Sequence, residues 1–269
     1  MFEEIEQNIF INRNFSFLVK KNEFILFFKF LSSDFSCAQK YFENLETGDM
    51  PISKLPSYMQ EYFALKNYSK KEIRLFKHFL KKVGTELKFN LFEDFPESGS
   101  IRSDLFNTYK KYNDLIVPKI LCKKMEAELS ENSINCIGEN YTLNSSWLAR
   151  HYKRYSENNK IDLWLYLVSL GSQLEEQVKK LNDEEDVYAA YILHSIGTGF
   201  TEAVVEDLNL YMDLTTGKHL KRFSPGYEDW DIAERSKILN IIKFSYEIGL
   251  NLSETYAFQP EQSSAGLIA

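Results

Sequence analysis

The stretch "KIDLWLYLVSLG", residues 160–171, decides the fold. It is a continuous apolar run, rich in β-branched and aromatic side chains, bounded by charge at one end and by Gly171 at the other. Such a run reads as a strand buried on both faces. Downstream, "SQLEEQVKKL" (172–181) and the longer "EEDVYAAYILHSIGTGFTEAVVEDLNLYM" (184–212) read as helices. The second contains Gly197 and Gly199, each costing about 1 kcal/mol against alanine in a helix. Close packing or the approach of a ligand would account for them. Upstream, "NSSWLARHYKRYSE" (144–157) is a helix capped by Ser145 or Ser146. In "IVPKILCKKMEAEL" (116–129), Pro118 blocks a helix interior, and a strand following it fits.

Further outward, "SDLFNTYKKYNDLI" (103–116) reads as a helix and "DFPESGS" (94–100) as a polar loop. "SKKEIRLFKHFLKKVG" (69–84) opens with a capping box, Ser69 to Glu72, and repeats Ile73, Phe76, Leu80 and Val83 at helical spacing. Residues 1–64 read mainly as short helices, including "SSDFSCAQKYFENLETG" (32–48), and form a helical N-terminal extension to a domain over 65–269. After Gly217, "HLKRF" reads as a short strand entering the loop "KRFSPGYEDW" (221–230). Asp231 to Glu234 is a capping pair for a helix that turns Ile238, Ile241, Ile242 and Tyr246 inward and ends at Gly249. "LNLSETYAFQPEQSSAGLIA" (250–269) reads as two extended segments separated by Pro260, with Ser263, Ser264 and Gly266 on a strand edge. Strands and helices mix without strict alternation, so the class is α+β.

Composition narrows the function. Thirty-two basic against 39 acidic residues leave a net charge of −7, which argues against a general nucleic-acid binder. Cys37, Cys122 and Cys136 are odd in number and lack CxxC spacing, and they read as reduced thiols of a cytoplasmic protein. The scattered His78, His151, His194 and His219 form no ligand cluster, so no bound metal is expected. "FILFFKFL" falls well short of the roughly 20 residues of a membrane span, and "MFEEIEQNIF" is acidic where a secretory signal is basic. Seven of the 11 glycines fall at or after Gly171, which is where a site would be built.

"RFSPGYEDW", then a helix, then "IGLNLSETYAFQPEQSSAGLI" resembles the activation domain of cobalamin-dependent methionine synthase. That family carries an R-x-x-x-G-Y loop, a helix, an IG-x-x-LTES turn and a P-x-x-SVSG strand. "LWLYLVSLGSQLEEQVKKLNDEEDVYAAYILHSIGTGFTEAVVEDL" (163–208) is similar to the same domain in short stand-alone members. The likeness is good over 143–269, thin over 65–142 and absent before that. It implies an activation-domain-like fold, a mixed or antiparallel sheet with long helices, that binds S-adenosylmethionine. It also implies that cobalamin is met only through a partner: a cobalamin-binding protein or a methionine synthase lacking this domain, with a flavodoxin-type reductant. By motif position, Arg222 pairs with the methionine carboxylate, a task the guanidinium fork suits. Gly226, beside Pro225, lets the backbone approach the ligand, Tyr227 gives an aromatic wall, and Glu202 accepts from the amino group or offsets the sulfonium. Two departures stand out: stand-alone members commonly read G-Y-G-D-x-P, where this chain has Glu228 for the second glycine and Asp231 for the proline.

No cobalamin-binding D-x-H-x-x-G sequence and no zinc-thiolate homocysteine site occur, so the chain is not a complete methionine synthase. Three functions fit: a stand-alone activation-type subunit, that is, a methyltransferase component; an independent S-adenosylmethionine-using enzyme on another small substrate; or a scaffold module without ligand. No catalytic side chain is expected in the first, because orientation and water exclusion suffice.

Overall fold

A computed structural model describes residues 2–13, 15, 96–156, 158–218 and 220–269. The helices expected over 32–48 and 69–84, and Cys37 with them, lie outside the described residues. The chain divides into two compact units. The first is Met1–Phe15, Ile116–Glu175 and Val204–Ala269, and the second is Ser16–Leu115 and Glu176–Ala203.

The first unit is built on an antiparallel sheet. In chain order its strands are β1 (Glu3–Glu6), β2 (Ile9–Asn12), β3 (Lys119–Leu129), β4 (Ser133–Cys136), β5 (Tyr141–Asn144), β6 (Lys160–Ser169), β7 (Arg222–Phe223) and β10 (Ser263–Ile268). They lie in the order β1-β2-β3-β6-β10-β7, with β4 on β3 and β5 on β4. The pair β8 (Asn251–Leu252) and β9 (Phe258–Gln259) forms a separate ribbon. The 160–171 run is a buried central strand as read, and a long strand does follow Pro118. The class is therefore α+β.

Residues 3–12 differ from the helical reading. They form a hairpin whose second strand pairs along β3, Ile9 with Lys123 and Ile11 with Leu121. The outer strand, "EEIE", is largely exposed, and carboxylates on an edge discourage pairing with another chain.

The period-2 alternation of the strands sorts side chains onto two faces. One face carries Ile9, Ile11, Leu121, Met125, Leu163, Leu165, Leu167, Ala265 and Leu267, all in the main apolar core. Covering it are Leu148 and Tyr152 from α2 (Ser146–Lys153), and Ile238, Ile241 and Ile242 from α5 (Glu234–Ile242). Ser145 caps α2 as expected, accepting from Leu148 N–H at 3.0 Å. The start of α5 departs from expectation. Ala233 is its N-cap and no side-chain cap bond forms. Asp231 accepts from Ala233 N–H in a turn at 2.8 Å, while Glu234 binds Lys237 at 2.6 Å and accepts from Asn144 N–H. The end of α5 departs too: it stops at Ile242, where Lys243 takes φ +66°, and Gly249 instead closes a following 3-10 turn, Ser245–Ile248. Tyr246 on that turn is exposed, not inward. β10 lies between β6 and β7, but β7 pairs only with Leu267 and Ile268, so Ser263 and Ser264 have a strand partner on the β6 side alone.

The second unit holds α1 (Pro96–Tyr112), most of α3 (Ser172–Asp183) and the first half of α4 (Val187–Thr216). The 94–100 stretch read as a loop is helical from Pro96, since proline at the first helical position loses no hydrogen bond and has a suitable φ. Tyr109 on α1 stacks on Phe200 at 5.3 Å, and Tyr188 donates to Asp104 at 2.8 Å. α4 runs unbroken through buried Gly197 and Gly199, with Thr201 donating back to Gly197 O at 3.0 Å. Among the described residues, no helix is long and apolar enough to cross a membrane.

Candidate functional site

The site expected from the sequence grows from the short edge strand β7. Phe223 pairs with Leu267 and Arg222 with Ile268, and two bonds between Lys221 and Ala269, at 2.8 and 3.1 Å, extend the ladder. β7 lies so close to β10 that a Cβ on Gly266 would sit 2.2 Å from Phe223 O. Glycine is required there by contact, not by φ. Tyr166, on the other side of Gly266, shares a 3.0 Å hydrogen bond with Ser224.

Beyond Phe223 the chain turns sharply. Pro225 is buried and Gly226 takes φ +98°, a left-handed shape that favours glycine. Gly226 N–H donates to Trp230 O at 2.6 Å, Tyr227 N–H to Ser224 O at 3.2 Å, and Trp230 N–H to Tyr227 O at 2.9 Å. Trp230 is buried in the main core and anchors the loop from below. Glu228 also sits in the left-handed region, at φ +52°.

Adjacent residues of β7 point to opposite faces, and this separates the expected site residues. Arg222 reaches α4, where Nε and Nη2 donate to Glu206 Oε1 at 3.0 and 2.9 Å. Both partners are partly shielded, the arginine side chain 19% and the glutamate 32% exposed. Tyr227 instead packs on Phe223 and edge-on to Trp147, with ring centres 5.6 and 5.4 Å away. Trp147 stacks on His151 at 5.2 Å and meets Phe223 edge-on at 4.8 Å, so Tyr227 caps an aromatic cluster at α2. Burial, helped by the charges of Arg154 and Lys221, lowers the His151 pKa from the ordinary imidazole value.

Asp229 ties the loop to α2. Its carboxylate accepts from the hydroxyls of Ser145 and Ser146 at 2.5 Å and from Trp147 N–H at 3.1 Å. Those two hydroxyl bonds, with the backbone amides behind them, lower its pKa to about 2. A carboxylate against a helix N-terminus is also favoured by the helix dipole.

Arg222, Pro225, Gly226 and Tyr227 thus share one loop, but only Arg222 faces an acidic side chain. Glu202 lies one helical turn before Glu206, in the second unit. The sequence reading missed Glu206, Ser224 and Tyr166. Glu206 was the one available signal, being four residues from Glu202 and so on the same helix face. The Gly226 N–H is spent within the loop. What Gly226 offers a ligand is open space, with nothing within 4 Å of where a Cβ would stand.

No family model and no curated protein matches this sequence. By fold, it is a mixed α+β domain with an antiparallel sheet. Among solved structures it is similar to a crystal structure of the MetH reactivation domain bound to AdoHcy. The TM-score is 0.58 at 12% identity, over 71% of this chain and 74% of that one.

Proposed function

We propose that this chain is a stand-alone S-adenosylmethionine-binding subunit of activation type. It supports reductive methylation of cob(II)alamin on a separate corrinoid protein or methionine synthase core, with a flavodoxin-type reductant. The fold shared with a domain that holds AdoHcy carries the reading, together with an R-x-x-x-G-Y loop at the end of β7.

The donor set fits the amino-acid end of that ligand. An α-amino acid carries a carboxylate and an ammonium side by side, and Arg222 with Glu206 presents one group of each complementary sign. Arg222 would take the carboxylate and Glu206, in place of Glu202, the ammonium. Their partial shielding strengthens both contacts relative to water. Pro225 and Gly226 hold the corner open. S-adenosylmethionine, when bound, supplies an electrophilic methyl group on a sulfonium. The chain's part is to bind and orient it and to exclude water, which requires no nucleophile.

Calorimetry with S-adenosylmethionine and with S-adenosylhomocysteine tests the ligand. Heat with neither would sink the proposal and leave the scaffold reading. Adding a corrinoid protein and a reductant should then start consumption of the methyl donor, whereas turnover without cobalt would make the chain an enzyme on another substrate.

A further inference from the structure

At one end of the sheet a cleft of about 820 Å³ opens among β3, β6, the C-terminal end of α4 and the segment that enters β7. Its size is within the roughly 300–1,000 Å³ of small-molecule sites. Lys124, Lys160, Lys218 and Lys221 line it. None of the four forms an ion pair among the described residues. The acidic side chains in the lining are Glu126 and Asp162, which face each other in register across β3 and β6, and Ala269, the last residue, lines it too. Four lysine side chains against two acidic ones leave an excess of side-chain positive charge, in a chain whose net charge is −7.

Aromatic groups complete the walls. Trp164 is half-buried, with the Lys124 ammonium 5.9 Å from its ring centre, and Tyr155 stands exposed at the rim. Tyr152 donates to Lys221 O at 2.9 Å, and the ladder to Ala269 holds the same residue from the other side, so this wall is fixed. Lysines that repel one another around a concavity are stabilised when an anion enters, and indole and phenol faces take a flat ring. A sulfonium carries the wrong sign for this lining, so the inference does not rest on the methyl donor.

We propose that the cleft binds a small ligand joining a flat ring to a multiply charged anion, the chemistry of a nucleoside diphosphate. The ring lies against Trp164 and Tyr155, and the phosphates meet Lys160, Lys218 and Lys221.

The test is calorimetric titration of the full chain with adenosine diphosphate, pyrophosphate and adenosine. The diphosphate nucleoside should bind more tightly than either fragment. The double variant Lys160→Gln/Lys218→Gln, at exposed positions, should weaken it about tenfold or more without changing the melting temperature. Tyr155→Ala should weaken adenosine diphosphate and adenosine and leave pyrophosphate unchanged. Three results would overturn the site: no heat with adenosine diphosphate at about 1 mM in low salt, binding indifferent to the lysine substitutions, or displacement of the nucleotide by S-adenosylmethionine.

Discussion

Two neighbouring rungs of the sheet each carry a cation that meets a glutamate, and they treat it differently. The rung Ile9–Lys123–Leu165–Leu267–Phe223 turns Lys123 into the main core. There the ammonium bonds Glu139 and donates to Ile241 O at 3.1 Å, with 9% of the side chain exposed. The next rung, Lys124–Trp164–Ile268–Arg222, turns Arg222 to the opposite face and onto a glutamate that remains one-third exposed. The first cation is enclosed by its own fold and has a structural task. The second is shielded enough to be strong and open enough to meet a ligand. Under the proposed function, burial separates the two roles.

The largest effect should come from breaking the enclosed pair. Glu139→Ala leaves a buried ammonium without its counter-charge and should cost about 3 kcal/mol in urea unfolding. Replacing both partners, Lys123→Met with Glu139→Leu, should return stability to within about 1 kcal/mol of the parent, because a buried pair roughly breaks even with apolar packing.

At the open rung the loss should appear in binding. Arg222→Ala should weaken S-adenosylmethionine by about 2–4 kcal/mol while changing folding stability by less than about 1 kcal/mol. Equal losses in both quantities would make Arg222 a second structural cation and remove the contrast.

A smaller effect concerns how the loop is held beside that rung. Asp229→Ala should cost about 1 kcal/mol, the worth of a helix cap. Because Asp229 titrates near 2 when folded, against an ordinary 3.8, its stabilisation is complete above about pH 4 and fades as the pH falls through about 2. Melting curves of parent and variant should therefore converge in acid. Smallest of all, Glu228→Gly should stabilise by about 0.5 kcal/mol, since glycine removes left-handed strain at φ +52° and gives back part of the gain as unfolded entropy.

What the sequence disclosed follows from locality. The 160–169 strand, the strand after Pro118, the Ser145 cap and the R-x-x-x-G-Y loop are each written in a few adjacent residues. The Arg222–Glu206 pair is not, because it depends on which turn of α4 faces β7. β1 and β2 were missed because strands of four residues have little pattern of their own, and the partner of β2, in β3, lies more than a hundred residues away. The 94–100 stretch reads as a polar loop, yet Pro96 starts a helix. Gly249 closes a turn one element later than expected, because Lys243 already accepts the positive φ that ends α5.

The hairpin at the start of the chain has a practical consequence for anyone trimming the protein to a minimal version. Cutting before residue 65, where the sequence reading starts the domain, would remove Ile9 and Ile11 and strip Ile120–Lys123 of β3 of their partner on one side. The bared strand would be a template for other copies, and the shortened protein should precipitate where the longer one stays dispersed.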